Sequence, residues 1–537
     1  MRAAPINGHL SRPGRRARAQ NAPGHPGIWP LALAGLAVLA WLAGLAPAVP
    51  ATAQEKAQGM AMERLVVADA AAAQDLDPHL ILDAVTQRVC LQIYEGLLDM
   101  PRPGVWRPLL ATGWWQAGPR TWRFQLRPGV RFHDGRPLDA QAVAFSLRRA
   151  AQGPQRDLLP LKAVRALGPL EVEVSADCPD LLPRLAHAGL VLSPGSVREG
   201  GLIGDPVGTG PYRFLRRQGG RVALGFNPDY WGGGHGLKVR ELVFAPSPGG
   251  DRLIADLAAD RVQVALGLNP HLKMALLTSG APVRLYTQPA ARQYFLVVNP
   301  SPRRPASQVA LYDPEFRRAL NQAVDLERII NVVLLGNGLI PDGVLNPQVN
   351  GHRPQPRPPY DPVAARRTIA RIAPQGLDLV LAVPQGRYPM AESVCQAVAR
   401  YLEQAGLGVR VVEIPWPQFL AKIMERDTGD WDLYFLGWGN PPLIASYTLN
   451  PAFCASPLAK VCPPGLDRLL AAAFAARPER AVGLYGELQD RIHRLAPWVF
   501  LHQGLEIHAS RRGLNLLPRA NENLRVFYDL SLEKAKP

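Results

Sequence analysis

Between Thr121 and Ala150 the chain reads TWRFQLRPGVRFHDGRPLDAQAVAFSLRRA, and its hydropathy changes period along the way. Trp122, Phe124 and Leu126 alternate with Arg123, Gln125 and Arg127, the two-residue repeat of a strand with one buried face. Pro128-Gly129 supplies a turn, and Val130 and Phe132 resume the alternation. Asp134-Gly135 turns the chain again. Asp139 then stands where a helix N-cap belongs, ahead of Val143 and Leu147. The stretch predicts strand, turn, strand, turn, helix, a local α+β unit that constrains architecture and says nothing yet of function.

A chain of 537 residues exceeds what one hydrophobic core usually serves, so two or more domains are expected. The hydrophobic fraction is 47% and the charged fraction 19%, as in folded proteins. The N-terminus has a different character. Arg2, Arg12, Arg15, Arg16 and Arg18 precede an apolar run from Ile28 to Ala46, then Pro47, Pro50 and the small-x-small site Ala51-Thr52-Ala53. That order predicts a secretory signal over 1–53, cut after Ala53, or a membrane anchor if it is left uncleaved. The formal net charge is +16, with five of the arginines in the leader. The remaining arginines are dispersed, so no nucleic-acid stripe is expected.

Five cysteines are present: Cys90, Cys178, Cys395, Cys454 and Cys462. In an oxidising compartment Cys454 and Cys462 can close a short loop, the alternative being two free thiols. Cys395 falls inside a helical pattern and reads as a buried apolar residue. There is no C-x-x-C pair, no G-x-S-x-G and no H-E-x-x-H, so neither catalysis nor a zinc site has a motif behind it.

Elsewhere the pattern is of mixed α and β elements. LVVA (Leu65 to Ala68) is β-prone, and Val85, Val89, Ile93 and Leu97 follow a helical spacing ahead of YEGL. Tyr212 and Phe214, then Val222, Leu224 and Phe226, form a hairpin about Gly219-Gly220. Asp313 with Pro314, and Asp325, start two helices. LDLVLAV, a helix with Val394, Val398 and Leu402 four apart, and VRVVEI make a β-α-β unit with parallel strands. Pro341 to Pro362 reads as a surface connection.

Three long stretches carry a resemblance: WRFQLRPGVRFHDGRPLDAQAVAFSL, VGTGPY with NPDYWGG, and YDPEFRRALNQAVDLERII. Together they resemble the family 5 solute-binding proteins, the peptide-, nickel- and dipeptide-binding receptors of bacterial ATP-binding cassette (ABC) importers. The resemblance runs from about Leu65 onward. It implies an α/β fold of periplasmic-binding-protein type, two lobes around a cleft with a hinge, the first lobe discontinuous and carrying an extra subdomain. The implied division is lobe I over 54–293, with the subdomain at about 95–205, lobe II over 294–497, and a return to lobe I over 498–537.

The same resemblance directs attention to particular residues. The strand ending Gly437-Trp438-Gly439-Asn440 is the first ligand-contact candidate, although peptide-binding members carry an acid after this strand and Asn440 is uncharged. Trp438 can stack on a ligand or belong to the core. Arg387, in Gly386-Arg387-Tyr388, suits a carboxylate or phosphate, or is a solvated loop residue. Trp416 lines the cleft or packs its strand, and Leu82, Asp83 and Tyr94 complete the candidates. His133 and Asp134 read as turn residues. His502 and His508 sit on one strand without a metal-ligand companion.

The expectation is a non-enzymatic, periplasmic, monomeric protein without a cofactor. As the substrate-binding subunit of an ABC importer it would capture a short peptide or similar small polar solute by lobe closure. An ABC permease in the inner membrane would receive it. The alternative is a periplasmic ligand-sensing or scaffolding protein of the same fold with no transport role.

Overall fold

The computed structural model describes residues 61–533, apart from 82, 234, 235, 357, 358, 451 and 452. The leader expected over 1–53 and the candidate Leu82 lie outside the described residues. Among the described residues no helix is long and apolar enough to cross a membrane.

In chain order the elements that position the site begin with β1 (Met62–Asp69) and α1 (Ala84–Ile93). A four-stranded antiparallel sheet follows, made of β2 (Ala111–Gly118), β3 (Thr121–Leu126), β4 (Leu161–Gly168) and β5 (Glu171–Ala176), in the order β2-β3-β5-β4. The helix α2 (Ala140–Gln152) joins β3 to β4, and α3 (Leu181–Ala188) follows β5. Next come β6 (Tyr212–Gln218), β7 (Arg221–Phe226), β8 (Val239–Pro246), β9 (Val264–Ala265) and the long β10 (Val283–Val298). After α4 (Pro314–Ala323) the chain forms β11 (Asp378–Gln385), α5 (Ala391–Gln404), β12 (Gly408–Pro415), α6 (Trp416–Met424), β13 (Leu433–Gly439) and the second long strand, β14 (Trp498–Arg511).

These strands build an 11-stranded mixed sheet whose main path is β12-β11-β13-β10-β14-β9-β1-β8-β7-β6, with Gly338–Leu339 paired to β14. The long antiparallel pair β10 and β14 stands at its middle, and the ladder slips between Pro289 and Gln293. One buried apolar cluster draws only on residues 296–501, among them Phe316, Val394 and Phe435. Another draws only on 65–266 and 514–530.

Most local expectations are met for the reasons given. Asp139 caps α2 by accepting from Ala142 N at 2.8 Å, and Asp313 caps α4 by accepting from Glu315 N at 2.7 Å. Strands β11 and β12 are parallel in the register Asp378↔Gly408, with Val394, Val398 and Leu402 of α5 fully buried. Cys454 and Cys462 are joined as a disulfide, and Cys395 is buried.

Two readings need correction. Val130 and Phe132 do not form a second strand; only an isolated bridge, Arg131↔Pro137, spans the Asp134-Gly135 turn. The turn closes too soon for a ladder to extend. The Pro-rich connection from Pro341 is no surface loop throughout, because Val344, Leu345 and Val349 are about 3% exposed. Its apolar residues are drawn into the core that also holds Phe295 and Trp498.

The residues that carried the resemblance serve chiefly to hold the fold together. Glu95 of YEGL is fully buried and accepts from Tyr230 Oη at 2.7 Å, Trp231 Nε1 at 2.9 Å and Thr209 Oγ1 at 3.0 Å. Burial pushes its pKa up while those donors oppose the shift. A Cβ at Gly208 would meet Ile93 O at 2.1 Å, and one at Gly210 would meet Gln92 O at 2.5 Å, so only glycine admits the close approach to the end of α1. His133 and Asp134 are turn residues: the His133 ring lies 2.9 Å from Gly210 O, and Asp134 accepts from Ser193 Oγ at 2.7 Å.

Candidate functional site

A cavity of about 670 Å³ lies where segments distant in sequence converge. Asp83 and Gln87 at the start of α1, the loop Pro154–Leu158 after α2, the end of β13 and the C-terminal loop Asn521–Asn523 all line it. Its volume falls inside the roughly 300–1,000 Å³ of small-molecule sites.

Strand β13 sets one wall. It is paired on one side with β11 and on the other with β10, in the register Trp438↔Gln293 and Gly439↔Arg292. Both glycines of Gly437-Trp438-Gly439 make room for neighbours. A Cβ at Gly437 would stand 2.5 Å from the Tyr294 ring, and one at Gly439 would stand 3.3 Å from Arg292 Nη2. Tyr388 Oη donates to Gly437 O at 3.2 Å, which ties the loop after β11 to the strand end. Trp438 lines the cavity, stacks on Tyr447 at 5.9 Å and donates from Nε1 to Thr448 Oγ1 at 3.2 Å.

Arg387 lines the same cavity. Its guanidinium carbon lies 5.1 Å from the Tyr388 ring centroid and 5.3 Å from that of Trp416, within cation–π reach. It forms no hydrogen bond or ion pair with any other described residue, so its donors are open to a ligand. Asp83 is committed in part: it caps α1, accepting from Thr86 N at 2.9 Å and Thr86 Oγ1 at 2.8 Å.

Gly439, Trp438, Arg387 and Asp83 therefore share one cavity. The other candidates stand apart from it. Asn440 is 3% exposed and faces inward, its Nδ2 donating to Ile444 O at 2.8 Å and its Oδ1 accepting from Ile444 N at 3.0 Å. It borders a separate space of about 20 Å³ and closes a local turn. Tyr388 supports Arg387 and the end of β13. Trp416 opens α6, its ring 6.1 Å from that of Tyr388, and it underlies Arg387. Tyr94 is fully buried and donates to Leu76 O at 3.1 Å, a core residue. His502 stacks on Tyr294 at 4.5 Å, and His508 Nδ1 accepts from Gly267 N at 3.3 Å. No cluster of metal-ligating side chains occurs among the described residues.

The sequence reading missed the most charged part of the wall. Arg292, in the slipped segment of β10, donates to Glu522 from Nε and from Nη2, each at 3.0 Å, and to Gly437 O at 3.3 Å. Behind Glu522, Arg88 donates to its backbone O at 2.8 Å and grips Asp69 at 2.7 and 2.8 Å. Burial opposes ionisation of Glu522, yet Arg292, then Arg88 and Arg387, hold its pKa below the usual carboxylate range. Glu506 on β14 belongs to the same charged group; burial and then the charge of Glu522 push it up to about 7. The one local sign of this arrangement is an isolated acid in Asn521-Glu522-Asn523, and its partner Arg292 lies 230 residues away.

Residues 105–458 match the family model described as bacterial extracellular solute-binding proteins, family 5 Middle. The glutathione-binding protein GsiB of Pectobacterium atrosepticum is 26% identical over 491 residues, covering 87% of this chain and 94% of that one. A "Probable di/tripeptide-binding protein 5" of Pseudomonas aeruginosa is 29% identical over 425 residues, covering 71% and 78%. The solved structure of the ABC transporter-associated periplasmic binding protein DppA from Helicobacter pylori, in complex with peptide STSA, matches with a TM-score of 0.73 at 20% identity. That match covers 89% of this chain and 100% of that one, and it shows a shared fold.

Proposed function

The chain belongs to the bacterial extracellular solute-binding proteins of family 5, a family of binding proteins and not of enzymes, and on that premise we propose that it is the exported substrate-binding subunit of an ABC importer. It captures a short peptide or similar small polar solute and delivers it to a permease in the inner membrane. The observation that carries this reading is the 670 Å³ cavity, walled by α1, the end of β13 and the C-terminal loop. Such a wall is complete only when segments from both ends of the chain are brought together.

In this reading 54–293 with 498–537 form one lobe, 294–497 the other, and about 95–205 an extra subdomain. Two buried clusters with separate memberships support the division, a third joins the subdomain's apolar residues to those of 291–498, and the long pair β10 and β14 would serve as the hinge. Each lobe offers half the contacts, so a ligand favours the closed arrangement by its differential affinity for it. Arg387, braced by Tyr388 and Trp416, would take the ligand's carboxylate bidentately.

The test is titration calorimetry of the purified protein against di- and tripeptides and glutathione. One-to-one binding of at least one solute, with the thermal midpoint raised by that solute, is the expected result. Absence of binding by every solute, together with absence of any co-purified small molecule, would overturn the reading.

A further inference from the structure

Arg184, in α3, is charged and yet only 1% exposed, and it is not part of the cavity lining. All three of its guanidinium nitrogens donate. Nε bonds Asp180 Oδ1 at 2.8 Å, Nη1 bonds Leu158 O at 3.0 Å and Asp157 O at 3.4 Å, and Nη2 bonds Ser446 Oγ at 2.7 Å. The guanidinium carbon is also 5.8 Å from the Phe474 ring centroid, within cation–π reach. One buried side chain thus holds three stretches that lie far apart in sequence. Each supplies cavity wall: Leu158 in the loop after α2, Tyr447 and Thr448 beside Ser446, and Phe474.

Local helix structure gives way to this arrangement. Asp180 occupies the N-cap position of α3, where an aspartate ordinarily accepts from a backbone N–H of the first turn. Here its side chain makes no capping bond. One carboxylate oxygen accepts from Arg184 Nε and the other from Ser446 Oγ. The buried guanidinium therefore has its counter-charge and its acceptors without any ligand, and its influence on one passes through the groups it holds. Beyond Ser446 the next two residues brace Trp438. The Tyr447 ring stacks on it at 5.9 Å, and Thr448 Oγ1 accepts from its Nε1 at 3.2 Å.

Resting on the solute-binding reading above, we propose that Arg184 is a positioning residue that gathers Leu158, Tyr447 and Phe474 into one apolar subsite of the cavity. Leu158 and Phe474 are hydrocarbon and Tyr447 is aromatic, while the charged neighbours Arg156 and Asp157 are solvent-exposed. The ligand class is therefore a solute that presents a hydrocarbon or aromatic group to this part of the wall, its carboxylate being left to Arg387. The planar fork of arginine meets an acid, two carbonyls and a hydroxyl at once. A lysine ammonium, a compact charge on a flexible stem, cannot span them.

The experiment measures dissociation constants for dialanine, alanyl-phenylalanine, phenylalanyl-alanine and glutathione. The proteins are the wild type, Ser446→Ala and Arg184→Lys, each with its thermal midpoint recorded without ligand. Ser446→Ala cuts the link from α3 to the 445–448 segment but leaves Arg184 paired with Asp180, so no buried charge is stranded. The wild type should bind one of the phenylalanine dipeptides at least about tenfold more tightly than dialanine. In both variants that ratio should fall at least about threefold, whatever the change in affinity for dialanine. A merely structural role would lower the thermal midpoint or weaken every ligand alike, with the ratio unchanged. If Arg184→Lys does not fold, Ser446→Ala decides alone. An unchanged ratio in a folded variant, or a wild type that binds solute without this preference, would overturn the inference and leave solute binding intact. Failure of the wild type to bind any of the four compounds would overturn the solute reading and this inference with it.

Discussion

Gly437 shows how narrowly single residues define the cavity. The Tyr294 ring that a Cβ there would strike at 2.5 Å is enclosed by Tyr388, Phe435 and His502, at centroid distances of 5.6, 5.7 and 4.5 Å. It cannot step aside without repacking all three. Gly437→Ala should therefore cost about 1–3 kcal/mol of stability, read as a lower urea midpoint, whereas Arg387→Ala should leave the midpoint unchanged and weaken binding of carboxylate ligands. An unchanged midpoint for Gly437→Ala would show that the ring is free to move. Arg387, Trp438 and Gly439, which line the cavity, were pointed to by the family resemblance, since they sit in short stretches at strand ends that the resemblance marks. Arg292 and Glu522 were not, since each is one charge in an ordinary stretch and their pairing depends on a slipped ladder. Asn440 misled for a related reason: its place in the sequence is beside the cavity, but its amide is turned into its own loop.

At the scale of elements, periodicity and caps were legible wherever a segment buries a face of its own. The helices α2, α4 and α5 and the parallel pair β11 and β12 are of this kind. The stretch from Pro341 to Pro362 was misread because proline and glycine mark turns but do not reveal burial, and its apolar residues find partners only in the folded chain. Contacts between elements also bear on closure. Arg120, at the β2–β3 turn, donates to Ala475 O at 2.7 Å and Phe474 O at 3.1 Å, and Arg184 of α3 donates to Ser446 Oγ at 2.7 Å. In the proposed division these contacts join the subdomain of lobe I to lobe II. Arg120→Ala touches no ligand, yet it should weaken apparent affinity about two- to tenfold by removing roughly 0.5–1.5 kcal/mol from the closed form. Equal affinity in calorimetry would show that this contact does not report closure.

For the whole molecule, buried imidazoles set the response to acid. Burial lowers His79, His133 and His187 to about 4, and His502 and His508 to about 3. Unfolded histidine binds its proton near about 6.5, so below that pH the unfolded chain gains protons that the folded chain refuses. Stability is intact above about 6.5 and falls as pH drops toward 4. Glu506, raised to about 7, acts in the opposite sense: its proton stabilises the fold as pH falls from 7 toward the ordinary carboxylate range. Glu95, also raised by burial, acts in the same sense as Glu506. Five imidazoles outweigh these two carboxyls, so the thermal midpoint should drop steeply between pH 6.5 and 4.5; a flat profile would mean these rings are not held neutral.

The central claim is that the cavity holds a small solute and returns it unchanged. Its most direct test is mass spectrometry of the purified protein, first in the native state and then after mild denaturation. The account predicts a one-to-one complex whose released solute has the mass of the compound supplied. A cavity that stays empty in the presence of peptides and glutathione, or a solute released with altered mass, would contradict it.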